Sequence, residues 1–350
     1  MDQRFEQLKG WLTAVLPQQP GFSGDEWQLE PVSGDASFRR YFRAVTPEQS
    51  WIAVDAPPEK EDSRPFIAVA EALAQHAVAV PEIHASDLEQ GFMLLSDLGD
   101  ELYLGRLNGA SVDQLYAEAL QSLLLIQACP GLLQGELPQY DEPLLKREVE
   151  LFREWFLQGL LQLTLSPREQ QQLDHLFAVL IAAALEQPRV FVHRDYHSRN
   201  LMYRPDDAPG VIDFQDAVYG PVTYDLVSLL RDCYIAWPAE QVYGWVEAFR
   251  LSLLAQGQPV ADSQQFKRWF DLMGAQRHLK AIGIFARLKL RDDKQGYLSD
   301  IPRTLHYLLL ELPVDQQLRD VNDWLQNRVI PAMADSGYWS DVELKQWLAR

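Results

Sequence analysis

Between residues 190 and 216 the chain runs Val190-Phe191-Val192-His193-Arg194-Asp195-Tyr196-His197-Ser198-Arg199-Asn200-Leu201-Met202-Tyr203, crosses Arg204-Pro205-Asp206-Asp207-Ala208-Pro209, and continues Gly210-Val211-Ile212-Asp213-Phe214-Gln215-Asp216. Leu201 to Tyr203 and Val211 to Asp213 are apolar, and proline and aspartate between them form turns, so the two runs are predicted to pair as an antiparallel hairpin. In such a hairpin the start of the first strand lies beside the end of the second. Asn200 and Asp213 then share one rim, with Asp195 in the loop just before. Oxygen-bearing side chains converging on a strand rim suit a hard cation such as Mg²⁺ when substrate phosphates supply the remaining ligands.

The order His-x-Asp, four residues, Asn, then a later Asp-Phe resembles the catalytic loop and metal-binding strand of kinase-like phosphotransferases. Nearly the whole chain is similar to the aminoglycoside phosphotransferase and choline kinase group. That resemblance implies an α+β fold of the bilobal protein-kinase-like kind, with an N-terminal antiparallel sheet lobe carrying one main helix and a larger helical C-terminal lobe. It also implies ATP and Mg²⁺ as cofactors, with Asp195 as the base that takes the proton of an attacking hydroxyl and Asn200 and Asp213 as metal ligands. His193 would brace the loop. Gly34, Asp35, Ala36 and Ser37 would form the turn covering the phosphates, and Ser96, Asp97 and Leu98 the hinge whose backbone meets adenine. Only about ten residues separate Asp213 from the helix opened by Pro221-Val222-Thr223-Tyr224-Asp225, too few for a peptide-docking activation segment, so the acceptor is expected to be small.

Whole phrases, such as Gly34 to Arg43, Asp55-Ala56-Pro57-Pro58-Glu59 and Gly220 to Asp232, resemble the bacterial sugar kinases of peptidoglycan recycling. The resemblance implies phosphoryl transfer to the anomeric hydroxyl of N-acetylmuramate and N-acetylglucosamine. The first of these carries a carboxylate, which a cation near the acceptor would meet. His197, Arg231, Arg277 and Lys280 are the candidate substrate contacts, Arg277 and Lys280 being three apart and so on one helix face. A kinase of another small acceptor (an aminoglycoside or choline) and a nucleotide-binding pseudokinase regulator are the alternatives.

One position departs from the pattern. The family keeps a lysine on the third strand to steady the α- and β-phosphates, whereas here that strand, Trp51-Ile52-Ala53-Val54-Asp55, ends on a carboxylate. Arg39, Arg40, Arg43, Lys60 and Arg64 are the cations near enough in sequence to replace it, with Arg43 assigned to the cofactor site. Alternation along Phe38 to Arg43 puts Arg39, Tyr41 and Arg43 on one face and Arg40 and Phe42 on the other.

The elements that position these residues follow from periodicity. Trp27 to Val32, Phe38 to Val45 and Trp51 to Asp55 read as three strands of a meander, Arg64 to His76 as a helix, and the run around Gly91 to Leu95 as a further strand. Ser111 to Cys129, Pro143 to Gln162 and Pro167 to Glu186 read as amphipathic helices. This shift predicts a nucleotide-binding lobe over 1–97 and a helical lobe with catalytic loop and sugar site over 98–350. The balance of 31 Lys+Arg against 50 Asp+Glu leaves a formal charge of -19, which argues against nucleic acid or an anionic membrane surface as partner. No protein partner is indicated. Two cysteines in apolar patterns, and an N-terminus without signal-peptide character, point to a cytoplasmic protein.

Overall fold

The computed structural model describes residues 2–22, 26–32 and 38–348. In chain order its main elements are α1 (Gln3–Val15), β1 (Gln28–Pro31), β2 (Arg40–Val45), β3 (Ser50–Asp55), α2 (Arg64–Gln75), β4 (Ile83–Asp87), β5 (Phe92–Ser96), α3 (Tyr103–Arg106), α4 (Val112–Ala128), α5 (Glu142–Leu151), α6 (Pro167–Leu185), β6 (Arg189–Val192), β7 (Leu201–Met202), β8 (Gly210–Val211), β9 (Val218–Pro221), α7 (Tyr224–Leu230), α8 (Ala239–Ala255), α9 (Ser263–Asp292), α10 (Ile301–Glu311), α11 (Arg319–Trp324), α12 (Ile330–Asp335) and α13 (Asp341–Leu348). The chain divides into two compact units, one of residues 1–137 with 199–217 and the other of residues 138–198 with 218–350. This division differs from the expected boundary after Asp97. The hairpin at 199–217 hydrogen-bonds to the first unit through Val211 N–H to Ala79 O and Tyr203 N–H to Glu101 O, which is a tertiary pairing that local sequence does not carry.

In the first unit β1 to β5 form an antiparallel sheet in the order β1-β2-β3-β5-β4. Its register sets Arg40 opposite Asp55, Phe42 opposite Ala53 and Ala44 opposite Trp51. Because side chains alternate, these six share one face, and Phe42, Ala44, Trp51 and Ala53 there form a core with Leu8, Leu12 and Leu16 from the N-terminal segment. Each such leucine buried contributes about 1.5–3 kcal/mol. Tyr41, Arg43 and Ile52 occupy the other face.

The second unit is mainly helical. α9, 30 residues long, packs against α5, α6, α7, α8 and α10. Its approach to α5 needs a glycine: a Cβ on Gly283 would come within 2.4 Å of the backbone carbon of Leu151. After α5 the helix widens over Phe152–Leu160, where Leu161 N–H bonds back five residues to Phe156 O. β6 and β9 pair antiparallel, Val192 opposite Val218, and so fix the chain on either side of residues 193–217. No helix among the described residues is long and apolar enough to cross a membrane.

Candidate active site

In the first unit β7 and β8 form the expected hairpin, Leu201 opposite Val211 and Met202 opposite Gly210. The pairing extends one step further through Ile212 N–H to Asn200 O. It brings the Asn200 side-chain amide within 3.2 Å of the Asp213 carboxylate, whose other oxygen accepts from Gln215 at 2.7 Å. Gly210 permits the close approach of Leu98, since a Cβ there would sit 2.8 Å from a Leu98 methyl group. Asp213 itself has φ 65°, a left-handed conformation that is unfavourable for a non-glycine residue and recurs at functional positions. It is held by Phe214, fully buried and 4.8 Å from the ring of Phe66 on α2.

The hairpin rim opens on a cavity of about 390 Å³ within this unit, lined among others by Tyr41, Arg43, Ile52, Leu98, Asn200 and Asp213. Apolar walls with a few polar groups suit a flat aromatic ring bearing a polar edge. Ser96 and Asp97 also line it. Asp97 is spoken for, accepting from Arg43 at 2.6 Å, Ser50 at 2.7 Å and the Gly99 N–H at 3.0 Å. The Leu98 peptide, by contrast, has no hydrogen-bond partner among the described residues. Gly34, Asp35, Ala36 and Ser37 lie outside the described residues.

Asp55 does not face this cavity. It shares the α1 side of β3 with Trp51 and Ala53, fully buried, and accepts from Arg4 Nε and Arg40 Nε at 3.0 Å each. The carboxylate where a lysine was expected is therefore a clamp that fastens α1 to the sheet. Arg40 is thereby removed from the candidates for phosphate binding, and it pairs as well with Asp2. Arg64 is exposed and paired with Asp62. Arg43 remains on the cavity side by register, while Arg39 directly precedes β2, outside the paired residues. Arg43 contacts Asp97 and Asp100, and Arg39, 6% exposed, lies 3.4 Å from Glu61.

In the second unit the loop after β6 carries Asp195. Its own N–H donates to His193 Nδ1 at 3.2 Å, and its carbonyl accepts the His197 N–H at 3.0 Å. Arg194 adopts φ 78°, and this unusual backbone is fixed from α7: Asp225 accepts the N–H groups of His193 and Arg194 at 2.6 and 3.0 Å. Burial pushes the Asp225 carboxyl up to about 7 despite those two bonds. Asp195 is the opposite case. Burial alone would raise it, but Lys280 foremost, then His197, Arg277 and Arg194, hold it at about 2. It is thus a carboxylate at any physiological pH.

The cations around it are themselves organised. Glu148 on α5 takes Arg194 at 2.6 Å and Lys280 at 3.1 Å, while Lys280 also donates to Tyr224 at 3.0 Å. Gln276 bridges Tyr140 and Glu148. Asp232 pins the loop's exit by accepting the Ser198 N–H at 2.9 Å and the Tyr234 N–H at 2.9 Å. Glu148, Tyr140, Gln276 and Asp232 had no local motif to announce them. Arg231, expected as a substrate contact, is instead enclosed by Asp271 at 2.7 Å, Glu311 at 2.8 Å and Tyr243 at 3.0 Å, so its charge is satisfied inside the protein. His197 packs edge-on to Tyr234, with ring centres 5.3 Å apart. Arg277 lies buried on α9 beside the Cys233 thiol.

Residues 28–260 match the model of a phosphotransferase enzyme family. The N-acetylmuramate/N-acetylglucosamine kinase of Pseudomonas putida is 46% identical over 314 residues, 88% of this chain and 91% of that protein. The protein of the same description from Pseudomonas aeruginosa is 44% identical, over 93% of this chain and 96% of the relative. Among solved structures, an ethanolamine kinase from Plasmodium vivax covers 91% of this chain and 97% of its own at 11% identity, with a TM-score of 0.60. A choline kinase from Cryptosporidium parvum covers 92% and 100% at 14% identity, with a TM-score of 0.59. These two likenesses carry the fold, which is the kinase-like α+β fold that the family resemblance implies.

Proposed function

Since this chain belongs to the phosphotransferase enzyme family and is an enzyme of that class, we propose that it is an ATP-dependent sugar kinase. In this reading it transfers the γ-phosphoryl group to the anomeric hydroxyl of N-acetylmuramate and N-acetylglucosamine. The observation that carries the acceptor is the 46% identity to a kinase described by those two sugars, over nine-tenths of its length. Unpaired thiols at Cys129 and Cys233 fit a reducing cytoplasm as the place of work.

The adenine ring would enter the apolar cavity and meet the unpartnered Leu98 peptide. Asn200 and Asp213 are hard oxygen donors, and among the described residues no cluster of three His, Cys, Asp or Glu side chains competes with them as a metal site. Two protein ligands completed by phosphate oxygens and water is the mode Mg²⁺ favours, and the ion bound there would neutralise charge on the transferred group. Asp195, five residues upstream of Asn200 in the chain, takes the acceptor's proton as the hydroxyl oxygen bonds to the γ-phosphorus. The bond from that phosphorus to the β-phosphate oxygen breaks, and ADP leaves. A carboxyl held at about 2 is a weak base, which is adequate for two reasons. An anomeric hydroxyl is more acidic than an ordinary alcohol, and phosphoryl transfer depends mainly on positioning and charge stabilisation.

Coupled measurement of ADP release over a panel of amino sugars, choline and aminoglycosides tests the reading. Turnover of the two sugars and its loss in Asp195→Asn, by a factor of about 10² or more, with ATP binding retained, is the expected outcome. Full activity in Asp195→Asn would remove the base, and turnover of choline or aminoglycosides alone would remove the acceptor.

A further inference from the structure

Three cations of the second unit are buried, Arg231, Arg277 and Lys280, and two of them are matched by carboxylates. Arg231 sits between Asp271 and Glu311, and Lys280 lies against Glu148. Arg277 is different. It is 5% exposed, and no carboxylate lies within ion-pairing distance of it among the described residues. Its one hydrogen bond runs from Nη1 to the Cys233 sulfur at 3.8 Å, and its Nε is buried without a partner. A thiol is a weak acceptor, and a guanidinium has five donors to satisfy. A buried charge with most of its donors unmet is unfavourable unless an anion arrives to meet it. The charge nevertheless belongs to the catalytic neighbourhood. Arg277 acts electrostatically on Asp195, and shares a face of α9 with Lys280, which does the same more strongly.

We infer that Arg277 is the subsite for a carboxylate carried by the acceptor sugar, and so the residue that favours N-acetylmuramate over N-acetylglucosamine. The inference rests on the acceptor reading above. N-acetylmuramate carries a lactyl carboxylate that N-acetylglucosamine lacks, and a guanidinium can bind it through two parallel N–H bonds. The neutral sugar leaves Arg277 as the ligand-free protein has it, and binds through the groups the two sugars share.

Steady-state kinetics on both sugars with the wild type, Arg277→Gln and Arg277→Lys provide the test. The ratio of kcat/KM for N-acetylmuramate to that for N-acetylglucosamine falls at least about tenfold in Arg277→Gln, chiefly through KM, and recovers in part in Arg277→Lys. An unchanged ratio overturns the inference, and this includes equal loss on both sugars, which would mean that Arg277 serves Asp195 or the phosphoryl group instead. A second arm uses only the wild type, in case the variants do not fold: the methyl ester of N-acetylmuramate, lacking the charge, shows a KM at least about tenfold above the free acid. Equal KM values for ester and acid overturn the inference. Turnover of neither sugar by the wild type would remove the acceptor reading along with it, whereas the preceding outcomes remove the inference alone.

Discussion

The carboxylate of Asp225, on the first turn of α7, accepts the backbone N–H of His193 at 2.6 Å, tying the helix to the residue two before Asp195. Burial holds this carboxyl up at about 7, above the ordinary aspartate value of 3.8. A native-state value raised in this way means that the folded protein binds the proton more tightly than the unfolded chain. Its contribution to stability is full below about 3.8 and is lost as pH rises through about 7. Replacement by asparagine removes the titration and one of the two acceptors. The midpoint of thermal unfolding of Asp225→Asn is therefore lower under acid conditions than that of the wild type, and the two curves converge as pH rises towards about 8. Parallel curves from about pH 5 to 8 would contradict the assignment.

Asp195 titrates the other way. Its carboxyl is held down at about 2, so its contribution is present above about 3.8 and is lost as pH falls towards 2. If Asp195 is the base proposed above, the acid limb of kcat/KM shows no ionisation of it in the free enzyme above about pH 4. A base-associated limb between pH 5 and 7 in the wild type, absent from a control with a pH-independent acceptor, would contradict it.

Asp55 joins α1 to the sheet from the face opposite the cavity. Asp55→Ala leaves Arg4 and Arg40 without their shared anion, and because both guanidinium groups are partly exposed the expected loss is about 2–3 kcal/mol, at or below the lower end for a broken buried pair. Urea unfolding measures it. The KM for ATP stays within about twofold, since Asp55 lies on the face away from the cavity. A large rise in KM with unchanged stability would return Asp55 to the nucleotide site.

Arg43 lies on the cavity side by strand register and Arg40 on the other, while Arg39 directly precedes β2. Arg39→Ala and Arg43→Ala are each expected to raise the KM for ATP by about tenfold or more, the value of a lost charged hydrogen bond. In Arg43→Ala, Asp97 and Asp100 also lose their shared cation. Arg40→Ala serves as the comparison and changes stability rather than KM. Unaltered KM in both Arg39→Ala and Arg43→Ala would show that neither takes over the lysine's task.

Gly283 and Gly244 differ in how closely they are packed. A methyl group on Gly283 meets the Leu151 backbone at 2.4 Å, while one on Gly244 of α8 meets nothing within 4 Å. Gly283→Ala is expected to lose about 1–3 kcal/mol, and Gly244→Ala to gain up to about 1 kcal/mol from helix propensity alone. Equal effects in chemical denaturation would mean that the α9–α5 crossing is looser than the distances say.

The parts of this architecture that were legible in the sequence are those with a local cause. The hairpin of Leu201 to Met202 with Gly210 to Val211 followed from two apolar runs around Pro205-Asp206-Asp207, and the face assignment of Tyr41 and Arg43 followed from strand alternation. β4 passed unread because Ile83-His84-Ala85-Ser86-Asp87 has little apolar character, and α1 because it stands before the strands that give its leucines something to cover. Asp55 could not be understood from its own strand. Its meaning lies in Arg4, 51 residues away, and in which side of the sheet α1 occupies. Arg231 is the same lesson in the second unit: its partners Asp271 and Glu311 are 40 and 80 residues downstream, so its cationic type suggested a ligand where long-range pairing supplies the anion. Asn200 and Asp213 were recoverable because a turn connects them.

Phosphorus and carbon NMR of the product formed from ATP and N-acetylglucosamine or N-acetylmuramate bears most directly on the proposed activity. The account predicts a single phosphate whose phosphorus couples to the anomeric proton and carbon of each sugar. Phosphate attached at any other carbon, or no sugar phosphate at all while choline or an aminoglycoside is phosphorylated, would contradict it.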